Sequence, residues 1–125
     1  MNFTKNVNYD PKMGQVVKLV VDGIYKENPK LYELFGHSGL ERCTEDNFFH
    51  MRYLHTSYQL NNPSVFEDYT EWLHDVLTSR KLHTEHIIQN FELMYETIDK
   101  MNDKGNWDFH LERLEDAIES LRLKL

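Results

Sequence analysis

The residues that could do covalent chemistry in this sequence centre on its single cysteine. Cys43 follows Arg42 and stands just before Thr44, where the apolar pattern predicts the start of a helix. A thiol near a helix N-terminus has a lowered pKa, and the thiolate is the form that attacks electrophiles. The position makes Cys43 a candidate for a covalent or redox role. We favour the simpler interpretation, a small, half-buried residue near a helix start without chemistry.

Seven histidines raise the question of a metal or haem site. His83 and His86 are three residues apart, a spacing that lets two imidazoles share a metal on one helix face. Glu71 and His74 form one Glu-x-x-His motif, whereas a di-iron bundle needs two. The sequence contains no His-Glu-x-x-His motif of the zinc proteases. We therefore favour solvated surface histidines and predict no metal ligands.

Tyr69 and Trp72 are one helical turn apart and could form aromatic walls of a ligand pocket. Filling the core is the role that we favour for these two rings. The sequence has neither a Gly-rich phosphate loop nor a nucleophile elbow. We therefore expect a binding protein and no enzyme.

The composition favours one globular domain spanning residues 1–125. The chain has 125 residues, of which 40% are hydrophobic, and its net charge is -7. An acidic chain lacks the clustered Lys and Arg that phosphate backbones require, so nucleic acid is not an expected partner. Apolar runs fall short of the roughly 20 residues that span a bilayer, and one cysteine allows no internal disulfide. These features predict a cytoplasmic protein without membrane contact.

The elements that must position these residues all follow a helical pattern. Residues 1–9 read as a polar arm, and Asp10-Pro11 is typical of an N-cap followed by proline at the first helical position. We expect the first helix to end near Asn28 and a short helical piece to follow it. A turn is expected over residues 36–39, with the central helix beginning near Thr44.

The second half of the chain continues with three more helices. Asn61-Asn62-Pro63 breaks the central helix and caps the next one, which runs to about Arg80. His83-Thr84 opens another helix, and residues 103–106 read as a turn. No β pattern of useful length competes, so the predicted fold is all-α with about five to six helices.

The last helix carries apolar residues spaced four and three apart, which is the a/d pattern of a coiled-coil seam. A face turned toward the chain's own core is one explanation. A face that docks onto a second copy is the other, and it makes Leu114, Ile118 and Leu121 candidate interface residues. The seam consists of Trp107, Leu111, Leu114, Ile118, Leu121 and Leu125.

The segment from Cys43 to Phe91 resembles the middle of a phycobiliprotein, a globin-like helical subunit of the phycobilisome antenna. The resembling pattern is a basic residue, a cysteine, an aspartate three positions on, an aromatic residue six on and an arginine nine on. A proline and a helix of matching length follow. The residues that fill the pattern here are Arg42, Cys43, Asp46, Phe49, Arg52 and Pro63.

The same region is also similar to a helical segment that accompanies cobalamin-binding domains in bacterial regulators. That segment has His-x-x-Tyr-Leu, a proline, and then Phe-x-Asp-Tyr-x-x-Trp. The matching residues are His50, Tyr53, Leu54, Pro63, Phe66, Asp68, Tyr69 and Trp72. The cobalamin-binding signature Asp-x-His-x-x-Gly is absent from the sequence, so cobalamin binding of that kind is not expected.

The phycobiliprotein resemblance implies a globin-like bundle and a set of roles. Cys43 would be the thioether anchor of an open-chain tetrapyrrole. Asp46 would accept hydrogen bonds from the pyrrole N–H groups, and Arg42 would neutralise a propionate. Arg52 would serve the pairing of subunits.

These observations predict a non-catalytic sensor or regulatory module for signalling. It would bind a bilin-type tetrapyrrole or another small apolar ligand, or else a protein partner. The ligand site would lie near Cys43, Asp46, Arg42, Tyr69 and Trp72. A ligand-free structural protein that dimerises is one alternative, and a haem or metal protein using His83 and His86 is another.

Overall fold

The computed structural model describes residues 11–125, and these residues form helices without any β-strand. The all-α prediction is confirmed for this part of the chain. The polar arm and the N-cap at Asp10 lie outside the described residues. The helices are α1 (Pro11–Glu27), α2 (Leu31–Gln59), α3 (Pro63–Ser79), α4 (Thr84–Met101) and α5 (Asp108–Arg122).

The chain divides into two compact units, with the boundary inside α2. Unit 1 ends at Arg52, and unit 2 comprises Tyr53–Leu125. Unit 1 therefore contains α1 and most of α2, whereas unit 2 contains the last turns of α2 together with α3, α4 and α5. Among residues 11–125, no helix combines the length and the apolar content needed to cross a bilayer.

Helix α1 buries one apolar face, as its 3.6-residue periodicity predicts. The helix ends at Glu27, close to the predicted end at Asn28. The backbone N–H and the side-chain amide of Asn28 both donate to the Ile24 carbonyl, at 3.0 Å and 2.8 Å, and so close the last turn of the helix. The buried face consists of Met13, Val16, Val17, Val20, Val21 and Ile24.

Helix α2 contains a kink at Gly36, where φ is 61° and ψ is −159°. Only glycine adopts this conformation without strain, because a Cβ atom would clash with the backbone. The chain is helical again directly after Gly36, through a second glycine, Gly39, whose missing Cβ leaves room for Phe35. The predicted start of the central helix near Thr44 is therefore wrong, and the predicted turn over residues 36–39 contracts to one residue.

The connection into α3 follows the predicted cap. The Asn62 side-chain oxygen accepts a 3.0 Å hydrogen bond from the Ser64 backbone N–H, and Pro63 occupies the first helical position. Asn61 has a φ of 48°, a left-handed conformation that asparagine tolerates better than most residues. The Ser64 N–H, which has no partner within the helix, is therefore satisfied at the start of α3.

The Asn102 side chain stabilises the turn between α4 and α5 through two hydrogen bonds. Its side-chain oxygen accepts a hydrogen bond of 2.8 Å from the Trp107 backbone N–H, and its amide nitrogen donates to Asp108 Oδ1 at 2.8 Å. Gly105 supplies the positive φ of 77° that the turn requires. The predicted turn over residues 103–106 and the predicted helix start at Thr84 are confirmed.

The core of unit 2 forms where α5 packs against α4 and α3. Leu114 and Leu121 are fully buried there, and Phe66 lies with its ring centroid 5.5 Å from that of Phe91. Three apolar residues that the helical pattern would place inward are instead exposed: Tyr58, Trp72 and Leu125. Leu125 lies beyond the last residue of α5, so the helix no longer directs it inward. The buried residues of α3, α4 and α5 include Tyr69, Leu73, Ile87, Ile88, Met94, Ile98, Leu111, Ala117 and Ile118.

Candidate functional site

The predicted thiol site lies within α2, in unit 1. Arg42 is exposed, whereas Cys43 and Asp46 are half-buried and lie one helical turn apart. Asn47 is fully buried, and its amide nitrogen donates to the Cys43 carbonyl at 3.0 Å and lies 3.8 Å from the Cys43 sulfur. The thiol is thus held against the helix by a neighbouring amide.

The electrostatic surroundings of Cys43 disfavour its thiolate. Burial, with an added contribution from the negative charge of Asp46, raises the pKa of the Cys43 thiol to about 11, although the hydrogen bond from Asn47 acts in the opposite direction. The lowered pKa expected from a helix N-terminus is therefore wrong. Since the helix resumes directly after Gly36, Cys43 lies well inside it, beyond the reach of the positive end of the helix dipole.

The predicted pocket walls Tyr69 and Trp72 belong to unit 2, where they form part of a row of stacked rings. Tyr53 stacks on Tyr69 with ring centroids 4.3 Å apart and an angle of 13° between the planes. Tyr69 contacts Trp72 at 5.9 Å. Tyr69 is buried, whereas 58% of Trp72 is exposed. We call Tyr53, Tyr69 and Trp72 the aromatic ladder.

A second group of rings, absent from the predicted site, joins the end of α2 to the start of α5. His55 Nδ1 lies 3.1 Å from His110 Nε2, and the His110 ring lies 4.5 Å from Trp107 and 4.7 Å from Tyr58 between centroids. Tyr58 also meets Phe109 edge-on at 5.9 Å. We call these five residues the histidine cluster.

His110 is the most deeply buried member of the histidine cluster, with 2% of its surface exposed. Burial, together with the neighbouring His55, lowers the pKa of His110 to about 4. The second ring nitrogen of His110, Nδ1, is buried without a hydrogen-bond partner. The imidazole is therefore neutral at physiological pH, with one polar atom unsatisfied.

The predicted interface residues of α5 face the interior of the chain. Leu114 and Leu121 are fully buried, and Ile118 is nearly so. The burial supports the core-facing explanation of the apolar seam. Arg52, the predicted assembly residue of α2, is exposed.

A groove of about 300 Å³ lies between α4 and α5, and none of the predicted ligand-site residues lines it. Four glutamates surround the groove, and one of them, Glu92, pairs with Arg122 at 3.2 Å. The lining residues are Glu92, Tyr95, Glu96, Glu115, Ile118, Glu119 and Arg122.

The candidate metal pair of α4 is part of a helix cap. The ring centroids of His83 and His86 are 5.5 Å apart, and the His83 backbone N–H donates to His86 Nδ1 at 3.4 Å. Within residues 11–125, no group of three or more His, Cys, Asp or Glu side chains is arranged to hold a metal ion.

Comparison with known proteins assigns no family: no family model, no curated protein and no solved structure matches the chain.

Proposed function

We propose that this chain is a non-catalytic interaction module that binds a partner protein through the aromatic ladder. The observation that carries the proposal is Trp72, a tryptophan that is more than half exposed and stacked against a buried tyrosine. Tryptophan and tyrosine are the residues most enriched among those that dominate binding energy at protein interfaces.

The stacking also prepares Trp72 for binding. Contact with Tyr69, which is itself held by Tyr53 and Phe66, restricts the orientation of the indole ring before a partner arrives. Less side-chain freedom is then lost on association, and more of the burial energy contributes to affinity.

Acidic side chains border this surface. Asp68 precedes Trp72 by one helical turn and Asp75 follows it by nearly one turn, and both are exposed. A partner that offers an apolar pocket with Lys or Arg at its rim would match both features. Charge at the rim chiefly raises the association rate, so this rate would fall as the salt concentration increases.

Trp72→Ala is expected to weaken partner binding about 30-fold, the effect of losing about 2 kcal/mol at a binding hot spot. Partners retained by the tagged wild-type chain would be identified by mass spectrometry, purified, and titrated against both proteins by calorimetry. Tyr32→Ala is the matched control, because Tyr32 is an equally exposed aromatic residue in unit 1. A purified partner that binds Trp72→Ala as tightly as the wild type would remove the ladder from the interface.

Covalent attachment of a bilin at Cys43 is the second candidate function. The observation that favours it is the position of Asp46, one helical turn from the thiol and close enough to affect its pKa. In such an attachment the S–H group adds across an ethylidene C=C bond of the bilin, forming a C–S bond and a C–H bond without an oxidant. Asp46 would then hold the pyrrole N–H groups.

The raised thiol pKa gives this second candidate a specific test. Because the thiolate is the nucleophile, the attachment rate should rise about tenfold per pH unit between pH 7 and pH 9. The measurement is zinc-enhanced fluorescence of the protein band on a denaturing gel after incubation with an ethylidene-bearing bilin. Cys43→Ser should show no signal. An unlabelled wild-type band at pH 9 would count against bilin attachment.

A further inference from the structure

The two exposed rings of the aromatic ladder carry hydrogen-bond donors that the folded chain leaves for a partner. Tyr53 is 41% exposed, and Trp72 is the more exposed of the two. Within residues 11–125, neither the Tyr53 hydroxyl nor the Trp72 indole N–H makes a hydrogen bond. An indole N–H can only donate, whereas a phenol hydroxyl can donate or accept. The surface therefore offers ring faces together with donors, and it suits a partner that brings acceptors.

The ladder is a short row of rings without a gap at its centre. Tyr53 and Tyr69 are stacked at 4.3 Å, which leaves no room for another group between their faces. Both ring contacts of the row share Tyr69, so the Tyr53 and Trp72 centroids are separated by no more than the two contact distances together, about 10 Å. A partner therefore lies across the row and contacts its exposed ends.

The free donors distinguish between the backbone conformations that a bound segment could adopt. Adding a strand requires a sheet edge, and residues 11–125 contain no strand. A helical segment uses its carbonyl groups in its own hydrogen bonds, so they do not accept from Tyr53 or Trp72. A polyproline II segment has no internal hydrogen bonds, and its carbonyl groups stay free to accept. The ladder therefore favours the polyproline II conformation.

The dimensions of a polyproline II segment agree with the length of the ladder. Such a segment advances about 3.1 Å per residue, so about three residues cover the row. Aromatic surfaces are the ones that proline-rich segments recognise in general. A proline-rich segment is extended before it binds, so little backbone freedom is lost on association.

The carboxylates beside Trp72 select for basic residues in the partner. Asp68 and Asp75 are both exposed and are seven residues apart, which is roughly 10 Å along α3. Within residues 11–125, no Lys or Arg side chain pairs with either of them, and the His74 imidazole lies 3.7 Å from Asp75. Lys or Arg residues on either side of the prolines would form charge-assisted hydrogen bonds with these carboxylates.

We infer that the aromatic ladder binds a proline-rich segment in the polyproline II conformation, with Lys or Arg flanking the prolines. The Trp72 indole N–H and the Tyr53 hydroxyl donate to backbone carbonyl groups of the segment, and its proline rings pack on the exposed aromatic rings. Asp68 and Asp75 contact the flanking cations. This inference rests on the proposed function, because it names the partner of the same surface.

The probe for this inference is a synthetic peptide of six prolines with one arginine at each end, titrated into the full-length chain by NMR. The sequence contains two tryptophans, and the second, Trp107, is 8% exposed and serves as an internal control. The indole N–H resonance of Trp72 should shift downfield to saturation, whereas that of Trp107 should stay in place. A dissociation constant on the order of 100 μM is expected for so short a peptide.

Changes in the protein and in the peptide test the individual contacts. Tyr53→Phe keeps the stacked ring and removes only the hydroxyl, so it should weaken binding about fivefold through the loss of one hydrogen bond. Tyr32→Phe, at an exposed tyrosine of unit 1, is the matched control and should bind as the wild type does. Peptides with glutamate in place of arginine, or glycine in place of proline, should each bind at least about tenfold more weakly.

Two results would overturn the inference: no shift of the Trp72 indole resonance with the proline peptide, or equally tight binding of the glycine peptide. The proposed function is judged separately, by whether retained partners need Trp72. A partner that is lost with Trp72→Ala, combined with no response to the proline peptide, would leave the proposed function in place and overturn this inference alone. A silent proline peptide and a partner that tolerates Trp72→Ala would overturn both.

Discussion

Replacing Leu114 with alanine is expected to lower the free energy of unfolding by about 2–5 kcal/mol. The side chain is fully buried on the face of α5 that packs against α4 and α3. Its removal loses the transfer free energy of the missing carbons and leaves a cavity that the surrounding helices fill only in part. Urea denaturation followed by far-UV circular dichroism measures the loss.

Leu123→Ala is the matched control for this change. Leu123 follows α5 directly, is the same residue type and is 90% exposed, so its replacement should alter stability by less than about 0.5 kcal/mol. The experiment also separates the two explanations of the apolar seam. A core position gives a loss that does not depend on protein concentration, whereas a dimer seam gives a concentration-dependent loss and a lower sedimentation mass. A loss of unfolding free energy that is below about 1 kcal/mol and independent of protein concentration would contradict both explanations.

The helix boundaries of unit 2 could be predicted because local chemistry determines them. Asn62 and Pro63 lie next to the backbone groups that they satisfy or replace, and Gly105 supplies a conformation that few other residues adopt. Each signal acts within four residues of the boundary it sets. Periodicity then assigns the buried face of each helix without knowledge of the helix it packs against.

The predicted start of the central helix is wrong because only one of the four turn-forming residues 36–39 interrupts the helix. Gly36 alone leaves the helical conformation, and His37, Ser38 and Gly39 continue it. The error carries over to the chemistry of Cys43. Its distance from the helix start decides whether the dipole or burial dominates, and burial dominates.

The histidine cluster was missed because its two imidazoles are 55 residues apart in the sequence. No short sequence motif indicates such a contact, because the contact depends on how the end of α2 packs against α5. One signal was available: His110 precedes Leu114 by four residues and therefore lies on the buried stripe of α5. A histidine on an apolar stripe calls for a hydrogen-bond partner, although the sequence does not identify that partner as His55.

Acidification from pH 8 to pH 5 is expected to cost unit 1 about 2 kcal/mol of stability through His50 alone. Complete burial lowers the pKa of His50 from 6.5 to about 3. Between these two values the unfolded chain binds a proton that the folded chain does not, so stability is full above pH 6.5 and is lost as the pH falls toward 3. Carboxylates, whose ordinary pKa values are about 4, contribute little above pH 5.

His50→Gln provides the test, since glutamine is polar, similar in length and does not titrate. Urea midpoints at pH 8, 7, 6 and 5 should fall steeply for the wild type and less steeply for His50→Gln, with the difference confined to pH values below about 6.5. His37→Gln, the exposed-histidine control, should keep the wild-type slope. Hydrogen exchange at amides of α1 assigns the loss to unit 1, because His50 and α1 belong to that unit whereas His110 belongs to unit 2. Equal slopes for the wild type and His50→Gln would show that His50 takes up a proton in the folded protein as readily as in the unfolded chain, and would contradict this prediction.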